Sequence, residues 1–238
     1  MPGERAEGMT FALILALTFI AAIALAGAIR ELPWLFYGLA VLVVMVLFAG
    51  MYGFIEGGWW KPLIFLIKRC MLAFSLFVVV MFVGALRKDS KLGIRMRLVR
   101  SELSIVACIL CAGHVCLYLV PYTQRALSGT LQDNIVASFT VAILLFVLLL
   151  VLGITSFDFV KKRMKAADWK RIQRLAYLFF LFTYVHLMFM LVPAAVNGGI
   201  SAIENIICYS AVFLLYVVMR LRRKRLDSQL KKEEAEER

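Results

Sequence analysis

Long runs of apolar residues, separated by short polar segments, make up most of this 238-residue sequence. About 20 consecutive apolar residues are enough for a helix to cross the hydrocarbon core of a bilayer. We therefore predict an all-α fold, a polytopic bundle of about seven transmembrane helices. The predicted spans are residues 9–29, 33–55, 63–86, 98–120, 133–156, 171–194 and 200–221.

The connections between the runs carry helix-ending signals. Pro33 stands at the start of the second run, Pro121 follows the fourth, and Asn-Gly-Gly at residues 197–199 is a turn sequence between the last two. These signals predict that each run is a separate helix.

The third run is the least regular, because Lys68 and Arg69 interrupt it. Residues 59–69 could instead lie along the membrane interface, and the number of spans would then be six.

Basic residues predict the orientation, because short cytoplasmic loops of membrane proteins hold an excess of Lys and Arg. Segments 87–100, 161–174 and 220–238 hold six, seven and eight of the 27 basic residues. The intervening connections, 121–132 and 195–199, hold one and none. This alternation places the three basic segments and the C-terminus in the cytoplasm and, with seven spans, the N-terminus outside.

Composition supports a membrane protein and argues against a nucleic-acid binder. Hydrophobic side chains make up 63% of the chain, whereas a soluble domain has about 45–50%. The net charge of +12 comes from residues at helix ends, and not from an amphipathic face with base-stacking aromatics. We expect one multi-pass membrane domain in contact with the lipid bilayer and no nucleic-acid partner.

Both histidines of the chain, His114 and His186, fall inside predicted spans. Ionisable side chains are costly inside a membrane and usually have a function there. His114 lies 17 residues from a helix start near residue 97, and His186 lies 15 residues from a start near residue 171. At 1.5 Å per residue these positions are roughly 25 and 22 Å from the cytoplasmic edge. Two parallel helices would thus present imidazoles at one depth, the arrangement needed for two axial ligands of one haem iron.

An alternative interpretation is that the histidines only pack and form hydrogen bonds between helices. Ala112 and Gly113, beside His114, leave room for a flat macrocycle and favour the haem interpretation. Cys108 and Cys111 form a C-x-x-C pattern, but His114 follows too late for the C-x-x-C-H motif of covalent haem attachment. A haem at this site would therefore be non-covalent.

Two segments resemble the ferric reductase-like transmembrane domain, and within it the MsrQ/YedZ branch of haem-binding membrane subunits. They are IRMRLVRSELSIVACILCAGHVCLYL (94–119) and LLLVLGITSFDFVKKRMKAADWKRIQRLAYLFFLFTYVHLMFML (148–191). The resemblance extends over roughly residues 70–222. It implies that His114 and His186 are the ligands of one b-type haem in the outer half of the membrane.

The order of short motifs carries this resemblance. In the family, a basic loop leads into a helix that contains a histidine, as Arg100 and His114 do here. A Thr-Ser pair ends the following helix, as at residues 155–156, and a Trp with basic neighbours precedes the next histidine, as Trp169 precedes His186.

One position departs from the family pattern. Gln173 stands where relatives carry an additional histidine on the cytoplasmic side. An amide does not replace imidazole as a haem ligand, so the resemblance implies one haem and not two.

Three further residues are candidate cofactor contacts. Arg69 could pair with a haem propionate through its forked donors or extend to the lipid headgroups. Arg100 and Gln173, at the cytoplasmic ends of the two histidine helices, could contact a quinone or the phosphate of flavin mononucleotide, or be ordinary interfacial residues.

The resemblance implies an electron-transfer subunit in a bacterial cytoplasmic membrane, with the catalytic chemistry on a partner. Its donor would be a membrane quinol, a flavin or a cytoplasmic flavin reductase, and its acceptor an extracytoplasmic redox protein. A proton-relaying small transporter and a non-redox membrane scaffold remain alternatives. The expected division is residues 1–62 as N-terminal spans partly outside the resemblance, 63–222 as the haem-binding bundle and 223–238 as a charged cytoplasmic tail.

Overall fold

The computed structural model describes residues 7–87 and 89–236, and the side chains of residues 10–87 and 89–229. This part of the chain forms eleven α-helices and one π-helical turn, and contains no strand. The helices are α1 (Glu7–Ala24), α2 (Ala26–Glu31), α3 (Pro33–Met51), α4 (Met71–Ala85), α5 (Lys91–Arg97), α6 (Arg100–Leu127), α7 (Asp133–Ile154), α8 (Asp158–Lys161), α9 (Ala166–Gln173), α10 (Leu175–Val196) and α11 (Ile200–Glu236); the π-helical turn is Ile64–Lys68.

The fold is an all-α polytopic membrane domain, as predicted. Five helices of the described residues are long and apolar enough to cross a membrane, with α9 and α10 together forming one of them. The first and third predicted spans form two shorter apolar helices, Thr10–Ala24 and Met71–Ala85.

The third predicted span is not a continuous helix. Its first part forms the π-helical turn, and Cys70 then adopts a left-handed conformation with φ of 56°. This conformation is unfavourable for a residue with a Cβ and ends the turn, so that α4 begins at Met71. The interruption falls directly after Lys68 and Arg69, where the sequence pattern is least regular.

Helix α4 is the centre of the bundle. It packs against α1, α6 and α11, and 13 of its 15 residues are buried. A helix that is apolar on all sides is covered either by lipid or by other parts of the protein, and the burial of α4 within the chain shows the second case. The neighbouring helices, and not the lipid, therefore cover most of α4.

Two proline positions behave differently. Pro33 is at the start of α3, where its missing N–H costs little. Pro121 was expected to end the fourth span, but it lies inside α6, which continues to Leu127. The prediction was wrong because the fixed φ of proline is itself helical, and one lost backbone hydrogen bond did not stop the helix.

The predicted turn at residues 197–199 is confirmed, since Gly198 has φ of 83° between α10 and α11.

The three basic segments meet at one end of the bundle, which we call the basic end. Arg220 of α11 donates to the main-chain oxygen of Gly84 at 3.2 Å. Trp169 Nε1 of α9 donates to the main-chain oxygen of Thr155 at 2.9 Å. At Ser90, the hydroxyl accepts from the Gly93 N–H at 3.0 Å and caps α5. The charged C-terminal segment continues α11 as a helix.

Candidate functional site

A cavity of about 400 Å³ lies away from the basic end, and both histidines line it. His114 reaches it from α6 and His186 from α10, while α7 packs against both of these helices. We call it the histidine cavity. Its apolar and aromatic wall residues include Met71, Val115, Tyr118, Leu119, Tyr122, Ile135, Phe139, Ala142, Ile143, Phe146, Leu187, Met190 and Leu191.

His114 is held by the main chain that precedes α4. Its Nδ1 lies 2.8 Å from the carbonyl oxygen of Lys68. A carbonyl can only accept, so Nδ1 must carry the proton and donate it. The irregular backbone between the π-helical turn and α4 thus supplies the acceptor that orients this imidazole.

His186 is oriented in the same way by α7. Its Nδ1 donates to the main-chain oxygen of Ser138 at 3.0 Å and to the Ser138 hydroxyl at 2.9 Å. That hydroxyl in turn donates to the main-chain oxygen of His186 at 3.5 Å. Ser138 is 1% exposed, so water does not compete for these bonds.

The two histidines therefore share one tautomer. In each ring Nδ1 carries the proton, which leaves the lone pair on Nε2. The hydrogen bonds to Lys68 and Ser138 are all made through Nδ1. A metal-ligating histidine commonly donates its other ring N–H to a carbonyl or carboxylate in this manner.

Cationic and polar side chains complete the wall of the histidine cavity. Lys68 and Arg69 line it beside His114, and the Arg69 guanidinium also lies 4.6 Å from the centre of the Phe65 ring. Asn205 lines it from α11. Its Oδ1 is buried and has no hydrogen-bond partner among the described residues, so it offers an acceptor to a ligand in the cavity.

Gly113 has a different role from the one predicted. A Cβ at this position would lie 2.9 Å from both methyl carbons of Val44 and 3.3 Å from Ile67 Cγ2. The glycine therefore allows α6 to approach α3 and the π-helical turn, and does not make room for a macrocycle. Adjacent residues of a helix point in directions about 100° apart, so Gly113 and His114 face different neighbours.

A second cavity of about 230 Å³ lies at the basic end and brings Arg100 and Gln173 together. Arg97 and Lys161 also line it, and we call it the arginine cavity. Gln173 Nε2 donates to Thr155 Oγ1 at 3.0 Å. The Gln173 amide, which stands where the resembling family has a histidine, thus links α9 to the end of α7.

Sequence reasoning missed Ser138 and the main-chain oxygen of Lys68. A serine in an apolar run gives no signal of its own, and a backbone acceptor leaves no trace in side-chain patterns. The break at Lys68 and Arg69 was the one indication that backbone groups are available there.

Comparisons with known proteins give a family match. Residues 69–192 match the family model described as "Ferric reductase like transmembrane component", a range that contains all five predicted site residues. An uncharacterized protein of Treponema pallidum (strain Nichols) is 38% identical over 151 residues, which is 63% of this chain and 42% of that relative. The matched region thus spans less than half the length of the relative. No solved structure matches the chain significantly.

Proposed function

Because the chain belongs to the ferric reductase-like transmembrane family, we propose that it is a membrane electron-transfer subunit that binds one haem b between His114 and His186. The family indicates a role in membrane electron transfer and redox cofactors in general. The observation that carries the haem proposal is the pair of imidazoles at one cavity, each with Nδ1 bonded to a carbonyl and Nε2 left as a ligand.

The donor set fits a haem. Neutral imidazole nitrogen is a suitable axial ligand for iron, and the apolar and aromatic wall of the cavity suits a porphyrin. The haem iron would carry one electron by changing between its ferric and ferrous states. Two histidines are enough to hold a haem iron, so no third protein ligand is needed. No cluster of three or more His, Cys, Asp or Glu side chains occurs in the described part of the chain.

The protein's own residues orient the ligands. The carbonyls of Lys68 and Ser138 hold both rings in one tautomer, and Tyr118 packs 5.0 Å from the His114 ring centre. Arg69 and Lys68 line the cavity and would supply positive charge for the haem propionates.

We propose the arginine cavity as the entry point for electrons. Arg100 and His114 are 14 residues apart on α6, which corresponds to roughly 21 Å along the helix. A quinol or flavin in the arginine cavity would shorten the path from the cytoplasm. Gln173 ligates no haem there, because its amide is bonded to Thr155.

The acceptor in this proposal is an extracytoplasmic redox protein, as in the MsrQ/YedZ branch, and the catalytic chemistry resides on that partner. The membrane is a bacterial cytoplasmic membrane, with the basic end inside.

The test is the visible spectrum of the purified protein with three variants. We expect a Soret band in the wild type and its loss in both His114→Ala and His186→Ala. Cys116→Ala is the matched control, because Cys116 is an exposed residue of α6 outside the cavity, and it should keep the band. A wild type without a Soret band, or a band that survives both histidine substitutions, would exclude the proposal.

A further inference from the structure

The arginine cavity carries an excess of positive charge. Arg97, Arg100 and Lys161 line it, and no Asp or Glu is found among its lining residues in the described part of the chain. Positive charge therefore lines a recess between the helices at the basic end.

Arg100 has no anionic partner among the described residues. Neither ion pair recorded there includes it. Its electrostatic neighbours include Arg220, a like charge, and the rings of Tyr177 and Tyr216. A guanidinium that is partly removed from water is costly unless an opposite charge accompanies it.

Two carboxylates at the basic end are paired with other residues. Asp89 pairs with Arg87 at 2.7 Å, and Asp227 pairs with Arg223 at 2.9 Å. Glu102 follows the start of α6, but it accepts from its neighbour Ser101 at 3.0 Å and does not line the cavity. No carboxylate is among the electrostatic neighbours of Arg100, so its charge is open to compensation by an anionic ligand.

The cavity is amphipathic along its depth. Arg97, Arg100 and Lys161 stand at the end nearer the basic segments, and Ser104 adds a hydroxyl on the same helix face as Arg100. The remaining wall is mainly apolar, with residues such as Phe77 from α4. Its volume of about 230 Å³ equals the share of about eight water molecules in the liquid. This space holds an anionic group and a short adjoining segment of a larger molecule.

We propose that the arginine cavity binds the phosphate of an amphipathic phosphate ester, held by Arg100 and Lys161. Two cationic side chains match the charge of a phosphate monoester, and guanidinium forms paired hydrogen bonds with phosphate oxygens. Two sources offer this chemistry: an anionic phospholipid, for which basic recesses between transmembrane helices are known sites, and flavin mononucleotide. If the ligand is the flavin, the inference rests on the proposed function, in which the arginine cavity binds the electron donor. If the ligand is a phospholipid, it does not.

The experiment uses two pairs of probes that differ in the phosphate alone. Flavin mononucleotide is compared with riboflavin, and dioleoyl phosphatidic acid with dioleoylglycerol. Binding to the purified full-length protein in detergent is measured by native mass spectrometry and by the shift in Tm. We expect the phosphate-bearing member of at least one pair to bind at least tenfold more tightly than its partner.

Variants locate the site. Arg100→Gln and Lys161→Gln should each weaken binding about tenfold, and Arg100→Lys, which keeps the charge, should weaken it less. Arg95→Gln is the control, since Arg95 is exposed on α5 and does not line the cavity. The Soret band is recorded in the same samples, so a failure of the haem proposal would be seen separately. Equal binding within both pairs, or wild-type binding by both Arg100→Gln and Arg100→Lys, would overturn the inference.

Discussion

The histidine cavity and the arginine cavity lie along the same helices, α6 and α10. They differ in whether their polar groups have partners within the protein. In the histidine cavity, carbonyls satisfy one nitrogen of each imidazole and leave the other as a neutral donor atom. In the arginine cavity, positive charges meet without a carboxylate in the wall. In our proposals, one end of the bundle therefore binds a metal centre and the other an anion.

The position of Gln173 strengthens this contrast. A histidine at position 173 would place an imidazole at the basic end as well. The amide of Gln173 instead donates to Thr155 and is not a haem ligand. Under the proposed function, the electron would pass from a donor at the basic end to a haem at the histidine cavity.

The largest effect short of removing a ligand is expected for Ser138→Ala. This substitution removes one of the two acceptors of His186 Nδ1. Loss of a partner that orients a metal ligand commonly costs 10–100-fold in affinity, and the main-chain oxygen of Ser138 remains, so we expect about a tenfold loss of haem affinity. The measurement is haem transfer to excess apomyoglobin.

Thr140→Ala is the control for Ser138→Ala. Thr140 is an exposed residue of the same helix, and its hydroxyl donates to the main-chain oxygen of Val136. Equal rates of haem transfer from the two variants would show that the Ser138 hydroxyl does not support His186.

A second prediction concerns the packing behind His114. Gly113→Ala brings a Cβ to 2.9 Å from both methyl carbons of Val44, and overpacking of this kind costs about 1–3 kcal/mol. We expect a lower Tm in detergent. Gly38→Ala is the control, because Gly38 of α3 has open space around its Cβ position and the substitution favours the helix by about 0.5–1 kcal/mol. If Gly113→Ala were as stable as Gly38→Ala, α6 would not pack closely against α3 at this point.

A third prediction concerns Gln173→His, which places an imidazole in the arginine cavity. It removes the hydrogen bond to Thr155, worth about 1 kcal/mol. It should add no second haem, because both native histidines line the other cavity. The measurement is a redox titration, with Gln132→His at an exposed position as the control. A new midpoint in Gln173→His alone would show that the basic end needs only one imidazole to hold a haem.

The smallest effect is expected for the ion pair beside the basic end. The Arg87 guanidinium, 2.7 Å from Asp89, lowers the pKa of this carboxyl. A lowered folded-state pKa contributes stability above the pKa of the unfolded chain, about 3.9, and this contribution is lost as the pH falls. The two side chains are 70% and 66% exposed, so solvent screens the pair. Asp89→Asn should leave Tm unchanged within error at pH 7, as measured by thermal unfolding; a fall comparable to that of Gly113→Ala would contradict this.

Much of the architecture could be predicted from apolar runs, because a membrane helix needs little more than length and composition. The rotation of each helix about its axis could not. Helix α4 is apolar on every side, so no stripe indicates which residues face α6. For the same reason Gly113 was assigned to the cavity, although it faces Val44.

The candidate site was predictable in part. His114 and His186 stand out because imidazoles are rare in apolar runs, and helix rise places them at similar depth. Their partners were not predictable: the carbonyl of Lys68 belongs to the last residue of the π-helical turn, a backbone feature that the side-chain pattern does not show, and Ser138 looks like any small residue of α7.

The most direct test of the central claim is the haem-to-protein ratio of the purified wild type, combined with the electron paramagnetic resonance spectrum of the oxidised protein. We predict one haem per chain, with a low-spin ferric signal from two imidazole ligands and a single redox midpoint. Two haems per chain, a high-spin signal or a protein without haem would contradict the claim that His114 and His186 hold one haem between them.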